Sequence, residues 1–78
     1  MTEVDDREKV AKYEALAEAA YDEMYETRSP AGSYSELKEC FAMAIAAAER
    51  AGLQDEARRL SKRLEHCKNV YRSQFSSR

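Results

Sequence analysis

The sequence predicts an all-α fold, an antiparallel up-down-up three-helix bundle formed as one domain over residues 1–78, and three observations carry that reading. The composition, 44% hydrophobic and 36% charged with Gly32, Gly52 and Pro30 as the only strong breakers, is that of a helical globular chain and not of a disordered or turn-rich one. Apolar residues recur at steps of three and four, the helical period, in each long segment. The breakers fall at two short joints, near Pro30 and Gly52, and short joints set successive helices antiparallel. A chain of 78 residues supports a single small core.

The first helix is expected over residues 3–28. Val10, Tyr13, Ala17, Ala20 and Met24 form one apolar face, and Thr2 with Asp5 makes a plausible capping box. Proline lacks an amide donor and pushes the preceding residue out of the α region, so the helix is expected to stop at Thr27-Arg28-Ser29-Pro30. The second helix is expected over residues 34–51, with Ser33 capping the Glu36 amide and Glu36 reaching back. Its Tyr34, Leu37, Cys40, Phe41, Ala44, Ile45, Ala48 and Ala51, widened by Met43 and Ala47, cover an arc of about 200°, which suits a middle helix with two neighbours. Its alanines favour the helix and let adjacent backbones approach. Gly52 and Leu53 read as a Schellman closure in which Leu53 returns to Ala48. The third helix is expected over residues 54–74, where Ala57, Leu60, Leu64, Cys67 and Tyr71 make a narrow stripe. Phe75 extends it before Ser76-Ser77-Arg78 frays.

Gly32-Ser33-Tyr34-Ser35-Glu36-Leu37, then Phe41, Ala44 and Ala48, closed by Glu49-Arg50-Ala51-Gly52 and followed by Asp55-Glu56-Ala57, resembles the second helix of a tetratricopeptide repeat and the opening of the next. The same run is similar to the middle helix of the MIT (microtubule-interacting and trafficking) domain, a free-standing three-helix relative. One repeat is too short for a solenoid, so the free-standing version fits better. Both families bind peptides, often helical tails, between helices. The resemblance therefore implies a small protein-protein interaction module that takes a peptide or amphipathic helix in an inter-helix groove.

Two surfaces are candidates for that partner. Residues 1–28 carry nine acids against four bases, and Glu14, Glu18, Asp22 and Glu26 follow one another four apart, a like-charge ridge that calls for cations. With Tyr21 and Tyr25 beside it, a groove of Glu18, Tyr21, Asp22 and Tyr25 suits Lys or Arg from a basic helix; the alternatives are that the third helix supplies the cations or that solvent does. The second surface is Met43 with Ala47 at the edge of the wide arc, open either to an incoming helix or to a second copy as a homodimer; the plainer reading of Met43 is core filler. A third reading is phosphate contact through Arg58, Arg59, Lys62 and Arg63, with His66 beside them. The sequence pI near 5.4 and the absence of a helix-turn-helix weigh against nucleic acid.

The sequence offers no catalytic constellation. His66 and Cys67 are adjacent and so diverge by about 100° on a helix, there is no Glu-x-x-His pair of the di-metal kind, and no glycine-rich phosphate loop occurs. The expectation is a chain that is not an enzyme and needs no metal or cofactor. Cys40 and Cys67 are expected as buried reduced thiols. The longest apolar run, residues 41–48, is far short of the roughly 20 residues that span a bilayer, and the acidic start does not resemble a signal peptide. No membrane contact and a cytoplasmic location are the expectations that follow.

Overall fold

Helix α1 (Asp6–Met24), helix α2 (Pro30–Arg50) and helix α3 (Gln54–Gln74) follow one another in a computed structural model that describes residues 5–75. Those residues contain no strand. α2 lies between the other two: α1 packs along it intimately, α3 less so, and the backbones of α1 and α3 barely approach. The result is a flattened body of 45 × 26 × 13 Å. Thr2, the expected start at residue 3 and the fraying end at residues 76–78 lie outside the described residues.

The first joint differs from the expectation on both sides. α1 ends at Met24, four residues early, and Tyr25 caps it. Its last turn carries Asp22 and Glu23 and no base, and acids at a helix C-terminus oppose the macrodipole. Glu26 therefore falls in a turn, its amide and that of Thr27 both bonded to the Glu23 carbonyl at 2.9 and 3.0 Å. α2 begins at Pro30, not at residue 34, with Ser29 as N-cap and no side-chain cap bond. Proline serves here as a starter: its fixed φ suits the first helical position, where the missing amide is no loss. Ser33, expected as the cap, lies a turn inside the helix and is buried.

The second joint forms as the sequence reads. Gly52 takes φ 76°, a left-handed conformation that glycine adopts without penalty. Its amide donates to the Glu49 carbonyl at 3.1 Å and that of Leu53 to Ala48 at 2.8 Å, the paired bonds of a Schellman closure. α3 starts at once, with Asp55 and Glu56 in its first turn facing the positive end of its dipole.

Among the described residues, half of the twelve buried apolar ones are alanines: Ala17, Ala20, Ala44, Ala47, Ala48 and Ala57. Small side chains at the α1–α2 seam let the two backbones close up, which accounts for the intimate packing there. Phe41, Met24, Leu37 and Leu60 supply the bulk, each worth roughly 1.5–3 kcal/mol of burial. Cys67 is fully buried, whereas Cys40 is only half-buried, contrary to expectation; both are free thiols. Loss of solvation pushes both thiol pKa values up, so neither is primed as a nucleophile.

Candidate functional site

Two of the four carboxylates of the expected ridge are claimed by α3. Arg59 donates to both oxygens of Glu14 at 2.8 and 3.0 Å, and Arg63 to both oxygens of Glu18 at 2.8 Å each. The acids are four apart on α1 and the bases four apart on α3, so one register satisfies both pairs. Arg59 also bonds Glu56 on its own helix. Hydrogen bonds from Arg59 hold the Glu14 carboxyl below the usual carboxylate range, and the partnered carboxylates raise the pKa of both arginines. These partly exposed pairs are each worth roughly 0–1 kcal/mol. They close the gap that the separated α1 and α3 backbones leave.

Tyr21 and Tyr25 belong to the same closure. The Arg63 guanidinium lies 4.9 Å from the centre of the Tyr21 ring. Tyr21 meets Tyr25 edge-on, centroids 5.6 Å apart, and their hydroxyls are 3.2 Å apart, which pushes the Tyr21 pKa up to about 12. Tyr25 meets Phe75 edge-on at 5.3 Å, Phe75 stacks near Tyr71 at 5.9 Å, and Tyr71 stacks flat on Tyr34 at 3.9 Å. Five rings thus run from α1 past the end of α3 to α2. Of the groove expected at Glu18, Tyr21, Asp22 and Tyr25, the first two are engaged with Arg63. Asp22 is exposed without an ion pair among the described residues, and Tyr25, though 51% exposed, carries two ring contacts. For Glu14 and Glu18 the cations come from the third helix, one of the alternatives the sequence left open.

The basic surface of α3 is depleted by the same pairs. Arg59 and Arg63 are spent on α1, and Arg58 pairs with Asp55 at 3.2 Å. Of the four bases considered for phosphate contact, Lys62 alone has no ion pair among the described residues.

The opposite flank of α1 is open. Met43 is 45% exposed and Leu16 44% exposed, and with Tyr25 they are the large apolar residues most open to solvent among the described residues. A depression of about 160 Å³ is lined by Lys9 and Tyr13 from α1 and by Met43, Ala46 and Arg50 from α2. Ala47 does not share this edge: it is fully buried, because its small side chain sits where α1 closes on α2, and its assignment to a partner surface is corrected accordingly. Leu16 escaped the sequence reading because it lies off the centre of the α1 apolar face, one turn beyond Tyr13. At one end of the depression Asp6 serves two cations, Arg50 at 3.4 Å and Lys9 at 3.9 Å, which leaves a positive excess there. A larger depression of about 390 Å³ at the α2–α3 joint is lined by Gly52, Leu53, Gln54, Asp55 and Glu56.

Among the described residues no group of three or more His, Cys, Asp or Glu is placed to hold a metal ion, and no helix is long and apolar enough to cross a membrane. Comparison with protein-family models, curated proteins and solved structures finds no match.

Proposed function

We propose that this chain is a small, non-catalytic protein-protein interaction module of the cytoplasm, three helices in up-down-up order like a tetratricopeptide-like or MIT-like unit. It docks an amphipathic helix on the α1–α2 edge around Met43. The up-down-up order is supported by where the helices touch: Asp6 at the start of α1 meets Arg50 at the end of α2, while Glu14 and Glu18 meet Arg59 and Arg63 in parallel sequence order. The docking reading rests on one observation. Met43 is nearly half exposed beside a depression, in a chain whose other α1 flank is closed by ion pairs and aromatic rings. Methionine suits such a surface, because its flexible thioether adapts to the shape of a partner, and Tyr13 with Ala46 gives the floor room for an incoming side chain.

The test is an amide chemical-shift titration of dilute protein with a synthetic amphipathic helix that carries leucines on one face and mixed Glu and Lys on the other. Shifts are expected around Lys9, Tyr13, Met43 and Ala46, and they should vanish in Met43→Glu. Shifts gathered instead at Tyr21 and Tyr25, or binding unchanged in Met43→Glu, would return the docking site to the α1–α3 flank.

A further inference from the structure

We propose that the helix docked on this edge is α2 of a second copy, set antiparallel across a two-fold axis that passes between Met43 and Ala46. The inference rests on the reading above and names the partner. Glu39, Met43, Ala46 and Arg50 step four, three, four along α2, so they form one seam on its surface. Glu39 and Arg50 are exposed, Met43 is open, and Ala46 is half-buried.

The seam is antisymmetric in charge about its own midpoint. It has an acid at one end, a base at the other, and a large and a small apolar side chain between. A two-fold axis through that midpoint exchanges the ends, as an isologous interface requires. Glu39 then faces Arg50 of the other copy twice over, and each Met43 faces the small Ala46. A parallel pairing would set like charge on like. From Glu39 to Arg50 the seam rises about 16 Å, three helical turns, and Tyr13 of α1 widens it.

The charges are free to exchange partners. Among the described residues Arg50 is held only by its 3.4 Å contact with Asp6, which Lys9 also approaches, so Asp6 keeps a cation when Arg50 turns to a second copy. Glu39 has no ion pair among the described residues. Glu36 extends the acidic end, while Glu49 lies about 100° round the helix from Arg50.

Sedimentation equilibrium of the full chain tests this with charge swaps. The wild type should associate reversibly as a dimer. Glu39→Arg and Arg50→Glu should each weaken association by about tenfold or more, because each swap sets like charges together at both ends of the seam. An equimolar mixture of the two variants should form a mixed dimer, since every facing pair is then opposite in sign. The double variant E39R/R50E should dimerise as the wild type does, which separates the pairing from any loss of folding in a single variant. Dimerisation indifferent to the swaps, or a mixture that does not associate, overturns the two-fold pairing. A wild type that stays monomeric while the amphipathic probe still binds around Met43 overturns the pairing and leaves the docking edge standing; loss of probe binding as well removes both.

Discussion

The two flanks of α1 have the same neighbour at their centre, α2, and end in opposite states. Toward α3 the flank is wide at the backbone and is filled by long side chains: Arg59 on Glu14, Arg63 on Glu18 and across the Tyr21 ring, with Tyr25 and Phe75 beyond them. On the other side, among the described residues, Arg50 alone reaches over, to Asp6 at one end, and Leu16 and Met43 stand nearly half exposed. The closed flank is held by two ion pairs and a run of aromatic rings, whereas the open flank sets Met43 beside Lys9 and Arg50 with no such closure. Part of the charge that looks on the sequence like an invitation to a partner, that of Glu14 and Glu18, is therefore spent holding the chain together, while the surface left for a partner joins apolar side chains to charges at its ends.

Truncating Phe41 should break the comparison outright. Phe41 is fully buried on the middle helix, and Phe→Ala at such a site costs about 3–5 kcal/mol. A domain of this length has a total stability of roughly 4–12 kcal/mol, so Phe41→Ala should lose much or all of its cooperative urea transition. Both flanks depend on α2, and both should disappear together in the variant's far-ultraviolet circular dichroism.

Removing the ion pairs should loosen one flank only. Arg63→Ala ends the bond to Glu18 and the contact with Tyr21, for a cost of about 1 kcal/mol in urea denaturation. Acid offers the same separation without mutation. Hydrogen bonds from Arg59 set the Glu14 pKa below its ordinary value. The stability Glu14 contributes is thus present above its unfolded pKa, near 4.3, and is lost as the pH falls through the lower folded value. Glu14→Gln should flatten that acid limb of the stability profile. At the alkaline end the sign reverses: Tyr21, pushed up to about 12 by its bond with Tyr25, contributes stability that is present below about 10 and lost as the pH rises through 12.

Much of this architecture was legible in the residues, and the failures have physical causes. Gly52 with Leu53 and the 54–74 stripe read correctly because a positive-φ glycine and an apolar period are local signals. Pro30 misled because its missing amide and its clash with the preceding residue end a helix before it, while the same missing amide costs nothing at the first position of the next helix, so proline alone does not say where the next helix starts. Ala47 misled because an alanine on the rim of an apolar arc is buried or open according to how closely the neighbouring backbone comes, and that is a tertiary fact. The Glu14–Arg59 and Glu18–Arg63 pairs had a signal, equal spacing of acids and bases on two helices, but the spacing becomes a contact only once the register of α1 against α3 is set by the core. Leu16 carried none, since a single apolar residue beside a core stripe is ordinary in any helix.

The smallest effect separates the flanks most cleanly. Met43 is 45% exposed and belongs to no ion pair or ring contact, so Met43→Ser removes little buried area and should change the urea midpoint by no more than about 0.5 kcal/mol of stability. The same change at a closed position would be costly, because the side chain there is what fills the gap between two helices. If Met43 is instead held in the core by breathing of α1 against α2, Met43→Ser should cost about 2 kcal/mol or more, as truncation of a buried methionine does. That result would make the α1–α2 edge a part of the core that the fold keeps shut. A neutral result with unchanged helicity means that Met43 stands outside the core, which leaves its thioether free to meet another surface, as docking on this edge requires.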